Sequence, residues 1–212
     1  MDQQSRPPEP FRSDATAQLD SVVLHADALS KKVASYATLR TEAELDREAR
    51  KSAFITSYEK RDAEQYADAC RRVETISLAT AAIEDSGGPA AAREEMLSTN
   101  AVFSLFARGF AERLQVLEGR RKPARKLLAD RLAELTESGT PFLMVERDSF
   151  VHALRIFEIQ LSDEISAATG HLERSRKNSR GYSPMSFDQL YGYLVAPIPQ
   201  LPVKPAATTP TA

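Results

Sequence analysis

The chain has 212 residues, with 28 Lys and Arg against 30 Asp and Glu, 42% apolar residues, one Cys and no Trp. A net charge of −2 argues against a protein that coats nucleic acid, which needs a large basic excess. A lone cysteine, Cys70, excludes an intrachain disulfide and fits a reducing compartment, while eight glycines and 7% aromatics leave too few turn and strand formers for anything but an all-α protein.

Residues 1–12 are polar and carry Pro7, Pro8 and Pro10, which reads as an extended arm without the basic and apolar regions of a secretory leader. From Phe11 to Ser86 there follow 76 residues without glycine or proline, the two punctuators that end helices. As one helix this stretch would be roughly 110 Å long. Ser13 or Asp14 can cap its start. Apolar residues then recur at Leu19, Val22, Ala26, Leu29, Val33 and Tyr36, alternating three and four apart, which is a heptad seam. The charged run LRTEAELDREARK interrupts the seam, which resumes in weaker form at Phe54, Tyr58, Tyr66, Cys70, Val73 and Ile83. Cys70 therefore reads as an inert thiol on the apolar stripe. Thr41 with Glu44 fits a capping box, so two readings stand: one long or bent helix, or a second helix starting near residue 41.

Ser86-Gly87-Gly88-Pro89 predicts an αα-hairpin, with glycine as a left-handed cap and proline in the first turn of the returning helix. That helix carries Met96, Phe103, Phe106, Phe110, Leu114 and Leu117 as a packing face. Pro123, in EGRRKPARK, either stops it and restarts it or kinks it, and Leu127 to Leu135 carry the stripe on to Ser138-Gly139. Thr140-Pro141 reads as a cap and first turn for a third helix holding Leu143, Phe150, Leu154, Phe157, Leu161, Ile165, Ala168 and Leu172, which ends before Gly181. Ser186 then caps a short amphipathic piece with Phe187, Leu190, Tyr191 and Leu194, and an extended proline-rich tail follows.

The expected fold is an all-α, elongated antiparallel bundle of three long helices with coiled-coil character. The first is very long, the second is kinked near Pro123, and the boundaries are an arm over 1–12, the bundle over 13–181 and a docking segment with tail over 182–212. Counting back from the hairpin puts residue 138 near residue 35, so the seam from Leu19 to Val33 projects beyond the other helices, and a partner is expected to bind through residues 19–36. An exposed heptad seam calls for a second copy of the chain or another protein's helix. Phe187, Leu190, Tyr191 and Leu194 pack either onto this bundle or into a partner's groove.

The chemistry is thin. G-x-G-x-x-G, G-x-x-x-x-G-K-[ST] and G-x-S-x-G are absent. His25, His152 and His171 fall in no metal-binding spacing, and Asp148 with His152 reads as a surface pair, so no catalytic residue, cofactor or metal is predicted. Arg120, Arg121, Lys122, Arg125 and Lys126 form one basic cluster, and Arg174, Arg176, Lys177 and Arg180 another. They suit an anionic surface such as a membrane or an acidic protein, or else they are solvated helix ends. Pro199, Pro202 and Lys204 match P-x-x-P-x-K, a form that SH3 domains take in the polyproline II conformation. No apolar run is long enough to cross a membrane, which with the missing leader points to the cytoplasm or a structure bathed by it. The leading expectation is a non-enzymatic structural or adaptor subunit of a larger assembly. The alternative is a dimeric membrane-surface protein laid out like a BAR domain, an analogy of layout that no motif carries.

Overall fold

The computed structural model describes residues 8–178 and 185–204, mostly helical and without a strand among them. The helices are α1 (Asp14–Ser57), α2 (Lys60–Asp85), α3 (Gly88–Leu97), α4 (Asn100–Glu137), α5 (Phe142–Val145), α6 (Ser149–Asn178) and α7 (Phe187–Val195). They belong to two compact units: the first holds the chain up to Leu19 and everything from Asn100, the second holds Asp20–Thr99. The all-α class stands, but the three rods of the sequence reading are divided into these seven elements.

The 76-residue stretch breaks at Tyr58, without glycine or proline. α1 runs straight through Thr41, whose hydroxyl donates back to the Ala37 carbonyl at 3.2 Å, while Glu44 pairs with Arg40 instead of closing a capping box. At its end Tyr58 takes a left-handed φ of 55°, a conformation uncommon outside glycine. Side chains build the turn. Ser57 Oγ donates to the Asp62 carboxylate and accepts from the Glu59 N–H at 3.2 Å. Asp62 also places a negative charge in the first turn of α2, where the helix dipole favours it.

Beyond this turn α2 runs back along α1. Arg50 Nη1 donates to Gln65 Oε1 at 2.7 Å, the Phe54 and Tyr66 rings stack with centroids 6.4 Å apart, and farther out Val33 shares an open groove with Ala82 and Ile83. The hairpin predicted at Gly87 is present: its φ is 88°, and a Cβ there would lie 2.8 Å from that of Ala91. Pro89 sits in the first turn of α3. The returning helix is short, because Ser98 caps α3 and a Ser98-Thr99 break separates it from α4.

In the first unit α4 is continuous through Pro123, the one-helix alternative of the two. It ends in a Schellman motif, with Thr140 N–H donating to Leu135 O and Gly139 N–H to Thr136 O, both at 3.0 Å, around a Gly139 φ of 68°. Thr140 does not cap the next long helix. Asp148 does, accepting from Phe150 and Val151 N–H at 3.1 and 2.8 Å. The intervening Phe142–Val145 forms only the single turn of α5.

α4 and α6 lie antiparallel, tied by Arg113–Glu164 at 2.8 Å, Arg125–Glu158 at 3.5 Å and Arg131–Asp148 at 2.7 Å. Between them are buried Phe103, Phe106, Phe110 and Leu117 from α4, and Phe150, Val151, Leu154, Phe157 and Leu161 from α6. Each such side chain contributes about 1.5–3 kcal/mol when taken out of water, so this hairpin is the strong part of the fold.

Candidate interaction site

The inner stripe of α4 reads Phe103, Phe106, Phe110, Arg113, Leu117, Arg120, Ala124, at alternating spacings of three and four. Two arginines therefore occupy positions that spacing assigns to the core. Arg113 is 1% exposed, and its guanidinium gathers three segments. Nη2 meets Glu164 of α6 at 2.8 Å, while Nη1 donates to the carbonyls of Leu194 (3.2 Å) and Ala196 just past α7. The same group lies 5.7 Å above the ring of Phe11, whose N–H donates to Val195 O at 3.0 Å. A buried charge without partners costs several kcal/mol, and the carboxylate, two carbonyls and aromatic face offset that cost here.

α7 begins with a complete capping box between Ser186 and Gln189. Phe187, Leu190 and Leu194 are buried, with Phe187 edge-on to Phe106 at 5.1 Å. Gly109 makes room for this helix: a Cβ there would stand 2.8 Å from Leu194 Cδ2 and 3.3 Å from Ala15 Cβ. His171 of α6 is stacked between Phe110 (5.3 Å) and Tyr193 (4.2 Å). Its Nδ1 is buried with no hydrogen-bond partner among the described residues. Burial holds the imidazole below its usual pKa, and Arg174 and Arg113 push the same way against Glu164.

Beyond α7 the chain runs extended along α4. Arg120 Nη1 donates to the carbonyls of Ile198 and Pro199, and Lys204 Nζ meets Glu134 Oε1 at 2.6 Å. Arg113, Arg120 and Glu134 thus hold Ala196, Pro199 and Lys204 in succession, making residues 196–204 a strap on α4. Lys204 and then Arg131 keep the Glu134 carboxyl below its ordinary pKa. The Lys204–Glu134 pair is about half exposed on both sides, so solvent and salt screen it.

The predicted partner-binding residues fare unevenly. Leu19 and Ala26 are fully buried, Val22, Val33 and Tyr36 are half-buried, and Leu29 is 39% exposed, so these six do not form an open seam. The Phe187–Leu194 piece follows the first of its two alternatives: Phe187, Leu190 and Leu194 face the interior of their own unit and Tyr191 is half-buried, because Gly109 and the α4 phenylalanines leave a seat for them. Of the first basic cluster Arg120 is occupied by the strap and Arg125 leans toward Glu158, while Arg121, Lys122 and Lys126 face solvent. Arg174, Arg176 and Lys177 are exposed, with Arg174 on Met185 Sδ at 3.4 Å; Arg180 lies outside the described residues. The α4–α6 register separates the two clusters by about 25–30 Å along the helices.

The single turn α5 was not anticipated as a surface. Phe142, Leu143 and Met144 are 75%, 72% and 57% exposed, and Leu143 had been expected inside a helix. The Asp148 carboxylate is bonded to Arg131 and to the Phe150 and Val151 N–H groups, while His152 reaches Asp148 through its backbone N–H, which donates to the Asp148 carbonyl at 3.0 Å; Arg131 holds the carboxyl below the ordinary range. Cys70 is half-buried, and its hydrogen bond to Tyr66 raises the phenol's pKa. Among the described residues no group of three or more His, Cys, Asp or Glu is placed to hold a metal ion, and no helix is long and apolar enough to cross a membrane. No family model, no curated protein and no solved structure matches the chain.

Proposed function

We propose that the chain is a non-enzymatic structural or adaptor subunit that attaches to other proteins of a larger, cytoplasmic assembly. The observation that carries this reading is the run Phe142-Leu143-Met144, three consecutive large apolar side chains more than half exposed at the α4–α6 turn. A contiguous apolar patch of this kind marks a contact surface in most proteins that keep one. The attachment point thus moves from the 19–36 seam to α5. The alternative, a membrane-surface dimer laid out like a BAR domain, needs its basic clusters gathered on one face. Their separation along α4 and α6, and the engagement of Arg120 by the strap, give it less support.

The test is a photo-reactive phenylalanine analogue at position 143 of the full chain, in cells that produce it. Position 160, an exposed glutamine on α6, serves as control. Discrete crosslinked species from 143 and not from 160 are expected. A chain that stays uncrosslinked at 143 rules the reading out.

A further inference from the structure

We propose that residues 197–204 are a polyproline II ligand for an SH3-type groove, held in reserve on α4 by Arg120 and Glu134. This inference stands independently of the apolar turn at α5. Ala196 has φ −52° and ψ 140°, inside the polyproline II region, and from there the exposure repeats every three residues. Pro197, Gln200 and Val203 point to solvent, while Ile198, Pro199, Leu201 and Pro202 are half-buried. Three residues per turn is the period of that helix, so Pro199 and Pro202 fall on one edge with Lys204 just beyond them.

Two prolines one turn apart followed by a cation are what a groove with two aromatic-walled slots and a carboxylate accepts. In this chain α4 imitates the last part of such a groove: Glu134 takes the Lys204 ammonium, and Arg120 binds the backbone at Ile198 and Pro199. The two modes exclude one another. A partner needs the prolines that α4 half covers and the ammonium that Glu134 occupies. The strap is also fastened unequally. Its start hangs on the buried Arg113, whereas its end rests on an exposed, screened pair, so residues 198–204 can peel away while α7 stays docked.

The test uses the full chain and a panel of purified SH3 domains that accept a lysine after P-x-x-P, read by titration calorimetry. In parallel, a nitroxide at Gln200→Cys in a Cys70→Ser background reports strap mobility. Removing the α4 contacts with Arg120→Ala plus Glu134→Gln should mobilise the nitroxide. It should also tighten binding by about tenfold, as expected when the competent state rises from a minor to a major population. Adding Pro199→Ala and Pro202→Ala to that variant should abolish binding while leaving the helical signal unchanged. The proposal is overturned if the nitroxide is equally mobile before and after release, if no domain binds the released chain better than the wild type, or if binding survives loss of both prolines.

Discussion

In the first unit the residues hidden from solvent include Phe106, Phe110, Leu117, Val151, Leu154 and Leu161; in the second they are Ala26, Ala43, Ala69, Val73, Thr80 and Leu97. The second unit meanwhile leaves Leu24, Leu39, Leu45, Ile55 and Leu78 exposed. Both units expose large apolar side chains, but the second buries mostly small ones, Leu97 apart, where the first buries phenylalanines and leucines. Apolar burial scales with area, so an alanine seam contributes a fraction of what a phenylalanine seam does. What supports α1 and α2 instead is local: strong helix formers and spaced ion pairs such as Arg40–Glu44, Arg50–Asp46 and Lys60–Glu64, each worth about 0.2–0.5 kcal/mol. Regular spacing makes a helix in both units, but only side-chain volume makes a core.

The largest effects should therefore lie in the first unit. Phe106→Ala should cost about 3–5 kcal/mol, the usual penalty for emptying a fully buried aromatic site. Arg113→Ala should cost about 3 kcal/mol, since it orphans the buried Leu194 carbonyl and the Ala196 carbonyl and strips Glu164 of its partner. Arg113→Lys should recover less than half, because one ammonium cannot span three acceptors as a guanidinium fork does. Urea unfolding followed by exchange-protected amides of α4 and α6 reads both. If Arg113→Ala costs less than 1 kcal/mol, the arginine does not organise the junction. In the second unit Val73→Ala should cost only about 1–2 kcal/mol, with α1 beyond Asp20 and α2 exchanging faster than α4. Slower exchange in α2 than in α4 would break the comparison outright.

The sequence made much of this legible where local chemistry decides. Gly87, Gly139 and Ser186 each take the role their residue type suggests, and the phenylalanines of α4 face inward as spacing requires. The turn at Tyr58 was not legible from glycine and proline, because Ser57 and Asp62 supply through side chains what a glycine supplies through backbone freedom. Ser98-Thr99-Asn100, a cluster of cap-type residues, was the available signal for the break before α4. Arg113 was legible too, as a charge sitting three after Phe110 and four before Leu117 on the same apolar stripe. The strap was not. Its bonds come from arginines about 80 residues away, and no local pattern encodes a partner at that distance.

A pH series sharpens the contrast, since His171 belongs to the first unit alone. Its pKa is held down in the fold by burial and by Arg174 and Arg113, against Glu164, so below about 6.5 the unfolded chain binds more protons than the folded one. The stability it confers is complete above that pH and erodes as pH falls through it. The urea midpoint of the first unit should drop between pH 7.5 and 5.5, and His171→Phe, which keeps the stack with Phe110 and Tyr193, should flatten that drop. An unchanged slope in the variant would remove His171 as its source. Glu134 and Asp148, whose pKa values are also depressed, lose their contributions only at lower pH, on acidification through the carboxylate range.

The smallest effect should come from the polar contact that spans the α1–α2 turn. Arg50 donates to Gln65 at 2.7 Å and to Asp46 at 3.3 Å, yet its side chain is 46% exposed and that of Asp46 40%. Both charges are hydrated in either state, and ordering a long guanidinium side chain offsets most of the attraction. Arg50→Ala should shift the stability of the second unit by less than about 0.5 kcal/mol, read from the urea midpoint of α2 amides, and added salt should change little. The value lies in what a larger number would mean. A loss approaching that of Val73→Ala would show that this pair of helices is fastened by hydrogen bonds at its turn more than by the alanines along its length. The contrast between the units would then be one of polar against apolar fastening, with size of core secondary.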